Sequence, residues 1–541
     1  MSPFTGTGRL LRLALRRDRL QLPIWLVVLT LVQYASTVSV IDLYRDDAAR
    51  LAFTVTSAES PVLLVFNGLI SGSGLGAVAA SQTLLIVVLG AAFMSLFAII
   101  RHTRQNEETG RAELIGSAVV GRHAALTAAL LLVIGANVVL GLLNAVALIA
   151  ADLPAAGAFA EGAAIALAGI AFASAAAVCA QIPEGARSAN GLAAGFVGVA
   201  FLLRSIGDVT GHVTEQGTKV ISGWASWLSP IGWAQQVRPF DDDKWWVLGL
   251  MLGFSALAVG GAFVLTTRRD VGFGLSQTRP GPPQAPPGLL SPLGLAWRLQ
   301  RGTLLGWSVG MIVVALALGA VGDAVRDVVE SSDTVAEIVE QLGGGGANLI
   351  DNYFAAVFGL LGLAIGGYAV QALLRLRSEE SGPLEPLLAT AVSRPRWLAS
   401  HVAIVVAGTV FLLALAGACT GLFYGLVVGD VGGYVGDLTV AALVQTPAAL
   451  ALVGFVVAAF GLLPRLTAAI AWAGFGICLL LGQIGALLKL PQAILNISPF
   501  SHTPPAPVAD VAVQPLVVLL AVAALLTGAG FVLFRRRDLA M

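Results

Sequence analysis

The sequence predicts an all-α polytopic membrane protein of twelve transmembrane helices, arranged as two tandem six-helix halves. Three observations carry this. Of 541 residues, 57% are hydrophobic and 11% charged, at a mean hydropathy of +0.86, a balance that excludes a water-soluble globular chain. Apolar runs of about 20 residues, the length of a helix that crosses a bilayer, recur along the whole chain. Charged and proline-bearing motifs return in the same order in both halves.

Taking the elements in order, residues 9–21 put Arg12, Arg16 and Arg19 on one face of a helix and leucines elsewhere, the pattern of a helix lying in a leaflet surface. The apolar run that follows lacks a small-residue cleavage site and is read as a retained helix. Six spans are expected near 22–41, 77–100, 124–151, 163–182, 189–207 and 245–267. Six more are expected near 303–322, 354–374, 399–429, 438–463, 466–488 and 511–534. Glu161, Glu184, Arg204, Asp208 and Arg465 then fall at or near span ends, where side chains reach an interface. Residues 323–341 space their valines and isoleucine as an outer amphipathic helix.

Twelve spans put both termini on one side. That side holds 23 of the 31 Lys and Arg but 10 of the 31 Asp and Glu, so the excess of basic residues predicts cytoplasmic termini in a bacterial inner membrane. Net charge is zero, which offers no case for nucleic acid.

Residues 107–122, EETGRAELIGSAVVGR, return as residues 379–394, EESGPLEPLLATAVSR. Glu107, Glu108, Gly110, Glu113 and Arg122 thereby match Glu379, Glu380, Gly382, Glu385 and Arg394, and each segment follows the second span of its half. Leu13-Ala14 with Trp25 echoes Leu295-Ala296 with Trp307, Pro183 echoes Pro464, and Ser229-Pro230 echoes Ser498-Pro499. Phe263-Val264-Leu265 with Arg268-Arg269-Asp270 echoes Phe531-Val532-Leu533 with Arg536-Arg537-Asp538. Six is even, so the halves share one orientation and a pseudo-twofold along the membrane normal is expected. The proline-rich stretch RPGPPQAPPGLLSP, residues 279–292, reads as a cytoplasmic linker. The expected division is 1–275, a linker at 276–292, and 293–541.

Little in the chain can carry chemistry. A P-loop needs Gly-x-x-x-x-Gly-Lys-Ser/Thr, and the three lysines, Lys219, Lys244 and Lys489, are followed by Val, Trp and Leu. No enzyme is expected, no cofactor in this chain and no metal. The five histidines show no ligand spacing, and Cys179, Cys419 and Cys478 sit in apolar runs. Arg45-Asp46-Asp47 in the first outer loop leaves open a lipid-phosphosugar glycosyltransferase with an acidic outer site, and the six-plus-six layout leaves open an ion-coupled secondary transporter.

The two halves, the basic amphipathic helix before each, the EExG…E segment after each second span and the Ser-Pro before each last span together resemble bacterial ABC exporter permeases of the polyketide-antibiotic, or tetronasin, type. The resemblance covers nearly the whole chain. It implies a permease subunit exporting hydrophobic or amphiphilic compounds, with ATP and Mg held by a separate ATP-binding subunit present in two copies. It also implies that Glu107, Glu108, Gly110, Glu113 and Arg122 form one docking segment and that Glu379, Glu380, Gly382, Glu385 and Arg394 form the other. Pro383 and Pro386 depart from the first copy, where Arg111 and Leu114 stand. A pathway among spans two, five, eight and eleven would be lined by Phe93, Phe97, Asn190, Phe196, Phe201, Tyr353, Phe358, Tyr368, Trp472 and Phe475.

Overall fold

The computed structural model describes residues 2–276, 281, 283–331, 346–380, 384–483, 491–508 and 511–537. The chain divides into two compact units, Met1–Gly281 and Pro282–Met541. Gly382, Lys489 and part of the 323–341 stretch lie outside the described residues.

The first unit opens with α1 (Thr7–Arg17) and α2 (Gln21–Leu43). Pro23 explains the break between them: it has no N–H to continue a helix from α1, but is tolerated in the first turn of a new one. Next come α3 (Asp47–Glu59), α4 (Pro61–Phe66), α5 (Leu75–His102), the short α6 (Arg104–Glu108) and α7 (Arg111–Gly116), and α8 (Ala124–Ala150). After α9 (Ala155–Cys179) and α10 (Ala186–Val209), a two-stranded antiparallel hairpin pairs His212–Val213 with Val220–Ile221. The unit ends with α11 (Pro230–Gln236) and α12 (Trp246–Thr267).

The Ala- and Gly-rich α9 is the central helix and packs on α5, α8, α10, α11 and α12. A Cβ added at Gly141 of α8 would stand 2.4 Å from the Gly162 carbonyl oxygen of α9, and one at Gly162 would stand 2.4 Å from that of Gly141. The two backbones therefore touch directly. Helices in lipid gain no hydrophobic drive from meeting each other, and close small-residue packing supplies the contact instead.

The second unit begins with α13 (Pro292–Ser331), one helix that fuses the basic amphipathic stretch to the first span. Counted from Leu13 and Leu295, the place of Pro23 is taken by Leu305, so nothing interrupts the helix. It continues with α14 (Gly346–Leu373), α15 (Arg375–Glu380), α16 (Leu384–Leu388), α17 (Arg394–Val428), α18 (Val431–Leu443) and α19 (Thr446–Leu462). The unit closes with α20 (Thr467–Gln483), α21 (Gln492–Leu495) and α22 (Val513–Arg536). Here α19 is central, packed on α14, α17, α20 and α22.

Among the described residues, ten helical segments are long and apolar enough to cross a membrane. The other two expected spans fall on α13 and the 17-residue α20. Two boundaries differ from expectation. The fourth span starts at Ala155, not near 163, which draws Glu161 into the bundle. The tenth is broken between α18 and α19, because Pro447 fits only in the first turn of a fresh helix.

Candidate functional site

Both duplicated acidic segments fold as a pair of short helices after the second span of their half; Glu379 and Glu380 are buried, Glu107 and Arg394 half-buried, and Glu108 and Arg122 exposed yet hydrogen-bonded. In the first half Glu107 accepts two parallel bonds from Arg269, Nη1 to Oε2 and Nη2 to Oε1, each 2.7 Å. Arg104 Nη1 reaches the same Oε2 at 2.6 Å. Arg104, wholly buried, also donates to the carbonyls of Ala180 and Phe273, and Arg269 to Gln181 Oε1. Paired forks of this kind are strong and directional. Glu108 Oε2 accepts the Ala186 N–H at 3.0 Å, satisfying a free donor at the start of α10. Arg122 donates to the carbonyls of Thr266, Thr267 and Arg269, closing the C-terminal end of α12. Gly110, at φ 70°, makes the left-handed turn between α6 and α7.

The second half repeats the arrangement with a change of register. Glu380 Oε2 accepts a bond from Arg537 Nη2 at 3.0 Å, with Arg537 Nη1 in ion-pair contact with Oε1 at 2.9 Å and Arg377 3.8 Å away. Arg394 Nη1 donates to the Arg537 carbonyl at 2.8 Å. Alignment of the two segments sets Glu107 against Glu379, but the partner of Arg537, the echo of Arg269, is Glu380. Glu379 instead binds Arg375 at 3.0 Å and His401 at 3.3 Å. His401 in turn meets Gln300 of α13 at 3.1 Å, while in the first half Asp18, just after α1, binds His102 and Arg101. Each half thus ties its second-span exit to its last span and to its leading helix.

The second short helix of each pair is also outward. Along α7 no residue is buried, Arg111 and Glu113 are exposed, and Leu114 is 77% exposed with Val119 at 69% beyond it. On α16 Glu385 and Pro386 are exposed, but Leu384 is buried.

The expected pathway residues scatter. Tyr368 and Phe358 are core side chains, set edge-on against Trp307 and stacked on Phe354 respectively. Phe196 packs on Phe172 and Phe254, Phe201 lies under the Arg204 guanidinium, and Tyr353 donates its hydroxyl to the Leu318 carbonyl. Asn190, Phe93 and Phe475 are half-buried, whereas Phe97 and Trp472 are 41% and 46% exposed.

Several groups expected at an interface are interior. Glu161 is fully buried and accepts from Gln33 Nε2 of α2 at 2.9 Å, the same amide lying 2.9 Å from the Thr83 hydroxyl of α5. Arg204 and Asp208 are buried together at 2.8 Å, and Arg204 also donates to the Leu64 and Val65 carbonyls and Gln235. A charge inside a bundle persists only when paired or hydrogen-bonded in this way, so long side chains near a predicted span end are not safely read as surface anchors. Glu184, between α9 and α10, and the exposed Arg465 do lie in loops.

The acidic pair Asp46–Asp47 begins a helix. Asp46 precedes α3, Asp47 lies in its first turn and pairs with Arg50, and Arg45 pairs with Asp42. Among the described residues no group of three or more His, Cys, Asp and Glu could hold a metal. The partners missed by sequence reasoning are Arg269, Arg377 and Arg537. The signal was available: a basic echo after each sixth span stands opposite an acidic echo after each second.

Residues 289–535 match the family described as "Multidrug efflux system permease Rv1217c, C-terminal domain". The chain is 42% identical over 539 residues to the "Multidrug efflux system permease protein Rv1217c" of Mycobacterium tuberculosis (strain ATCC 25618 / H37Rv), a match covering 99% of this chain and 96% of that one.

Proposed function

The chain belongs to the family of multidrug efflux system permeases, and we propose that it is the membrane subunit of an ATP-driven exporter of the polyketide-antibiotic type, moving hydrophobic or amphiphilic compounds out of the cell. Two copies of a separate ATP-binding subunit, which hold ATP and Mg, would dock on the cytoplasmic side, with both termini of this chain on that side. The observation that carries this reading is the paired short-helix segment held in both halves by an inward Glu–Arg ion pair, with its second helix left outward.

Docking falls to the outward residues: Arg111, Glu113, Leu114 and Val119 in one half, Glu385 and Pro386 in the other. Glu107, Glu108, Arg122, Glu380 and Arg394 act behind them. A push on α7 reaches α12 through the Glu107–Arg269 fork and the Arg122 cap, and reaches α10 through Glu108. A push on α16 reaches α22 through Glu380, Arg394 and Arg537. Rigid tilting of these spans is a known means of switching access. Phe97 and Trp472, exposed on their own halves, are the aromatic side chains we assign to the pathway.

Leu114→Asp tests the reading: it alters only an exposed side chain, so the protein should melt as the unaltered chain does, while binding of the ATP-binding subunit and efflux both fall at least tenfold. Unchanged binding and efflux would remove the docking assignment.

A further inference from the structure

In the second half the fourth, fifth and sixth spans, α19, α20 and α22, line a half-open cavity of about 760 Å³. Its walls are apolar, with Leu452, Phe455, Leu519 and Leu526 among them, and none of the described lining residues is an acid, a lysine or an arginine. Polar groups gather at the end where α22 begins: Asn496, His502 and Gln514. His502 Nε2 lies 2.9 Å from the Asn496 carbonyl, which fixes the ring in place.

In the first half the repeat sets aromatic rings at the matching positions. There Phe196 of α10, Phe254 of α12 and Trp233 of α11 fill the equivalent space. Phe196 and Phe254 stack at 6.2 Å with 2° between the rings, Trp233 stands edge-on to Phe254 at 5.7 Å, and Phe172 of α9 backs Phe196 at 5.8 Å. Counting thirteen residues on from Pro183 and from Pro464 carries Phe196 onto Ile477. Counting four on from Ser229 and Ser498 carries Trp233 onto His502, and counting nine back from Phe263 and Phe531 carries Phe254 onto Val522. Ile477, His502 and Val522 all line the cavity. Three large rings have become two aliphatic side chains and one imidazole, and the space they leave is apolar along its length and polar at one end.

We propose that this cavity is a binding site, present in the second half alone, for an amphiphile with a long or flat apolar body and a hydrogen-bonding head of no net charge. The body lies along Leu452, Leu519 and Val522, where each buried CH₂ contributes about 0.8 kcal/mol. The head meets Asn496, His502 and Gln514, which offer both donors and acceptors. Ile477 and Val522 are 49% and 41% exposed, so the cavity opens sideways and an amphiphile can enter without passing through either end of the bundle. The site does not depend on coupling to ATP, so its failure and that of the transport reading are separable.

The test uses the full chain in nanodiscs with two photoreactive probes, a diazirine-bearing hexadecanol and a diazirine-bearing phosphatidylcholine, and maps labelled peptides by mass spectrometry. Either probe should label residues 474–478 and 514–526 saturably, the alcohol marking a free compound as occupant and the phospholipid marking bilayer lipid. The filled variant Ile477→Phe/His502→Trp/Val522→Phe should lose at least nine-tenths of that labelling. The reverse variant Phe196→Ile/Trp233→His/Phe254→Val should gain saturable labelling in the first half, and this second arm decides the matter if the filled variant does not fold. Absence of saturable labelling with both probes, or labelling unchanged in both variants, overturns the proposal.

Discussion

Replacing Glu107 by Gln leaves the volume of the side chain and removes its charge from between two guanidinium groups. Arg104 and Arg269 side chains are 0% and 7% exposed and both approach Glu107 Oε2, so the substitution leaves two positive charges sharing one neutral carbonyl. Removing one partner of a buried ion pair costs about 3–5 kcal/mol, and the 12% exposure of Glu107 argues for the lower end, about 3 kcal/mol. At about 1.4 kcal/mol per tenfold, local opening of the segment should rise roughly 100-fold. Amide hydrogen exchange across residues 104–123 in nanodiscs reads this directly. Glu113→Gln removes the same charge from the same segment at an exposed position and should stay within about 0.5 kcal/mol. Adding Arg269→Gln to Glu107→Gln should recover part of the loss, with a coupling of roughly 1–3 kcal/mol. Equal exchange in the Glu107 and Glu113 variants would refute the claim that the inward fork holds the segment.

Two further substitutions probe packing. Gly141→Ala brings a methyl within 2.4 Å of the Gly162 carbonyl and should destabilise by about 1–3 kcal/mol, whereas Gly135→Ala on the same helix meets nothing within 4 Å and should stabilise by up to about 1 kcal/mol. Opposite shifts in detergent melting temperature are expected, and shifts of one sign would contradict the backbone contact. Glu161→Leu takes one acceptor from the buried Gln33 amide, leaving it the Thr83 hydroxyl, and should lower the melting temperature, while Gln33→Leu/Glu161→Leu together should restore most of it. A double variant no better than the single one would mean that the pair is not the coupled unit its geometry describes.

The spans were legible because lipid imposes a simple rule: about 20 apolar residues, all backbone groups satisfied within the helix. That rule cannot place a boundary inside an Ala-rich run. Residues 155–162, AAGAFAEG, open α9, which packs on five other helices, and Glu161 looked like an end only because its partner, Gln33, lies far off in sequence. Pro23 and Pro447 were visible, and each breaks a helix where proline chemistry requires. The repeat located both acidic segments, yet spacing alone could not say which glutamates face outward. Glu107 and Glu113 read alike until Arg269, arriving from the end of α12, claims one of them. The one-residue slip that gives Arg537 to Glu380 and leaves Glu379 to His401 is likewise decided by packing. The cavity was hidden in the same repeat: the rings at Phe196, Trp233 and Phe254 acquire meaning only when set beside Ile477, His502 and Val522.

The central claim is that a separate ATP-binding subunit drives this chain through its two outward short helices. Leu114→Cys and Glu385→Cys, placed singly in a chain whose Cys179, Cys419 and Cys478 are changed to Ser, and labelled with a photocrosslinker in the native membrane, test it most directly. Each position should capture an ATP-binding protein, and purification of the assembly should give two copies of it per chain. Crosslinks to lipid alone from both positions, or efflux sustained by the purified chain with no ATP-binding protein present, would contradict it.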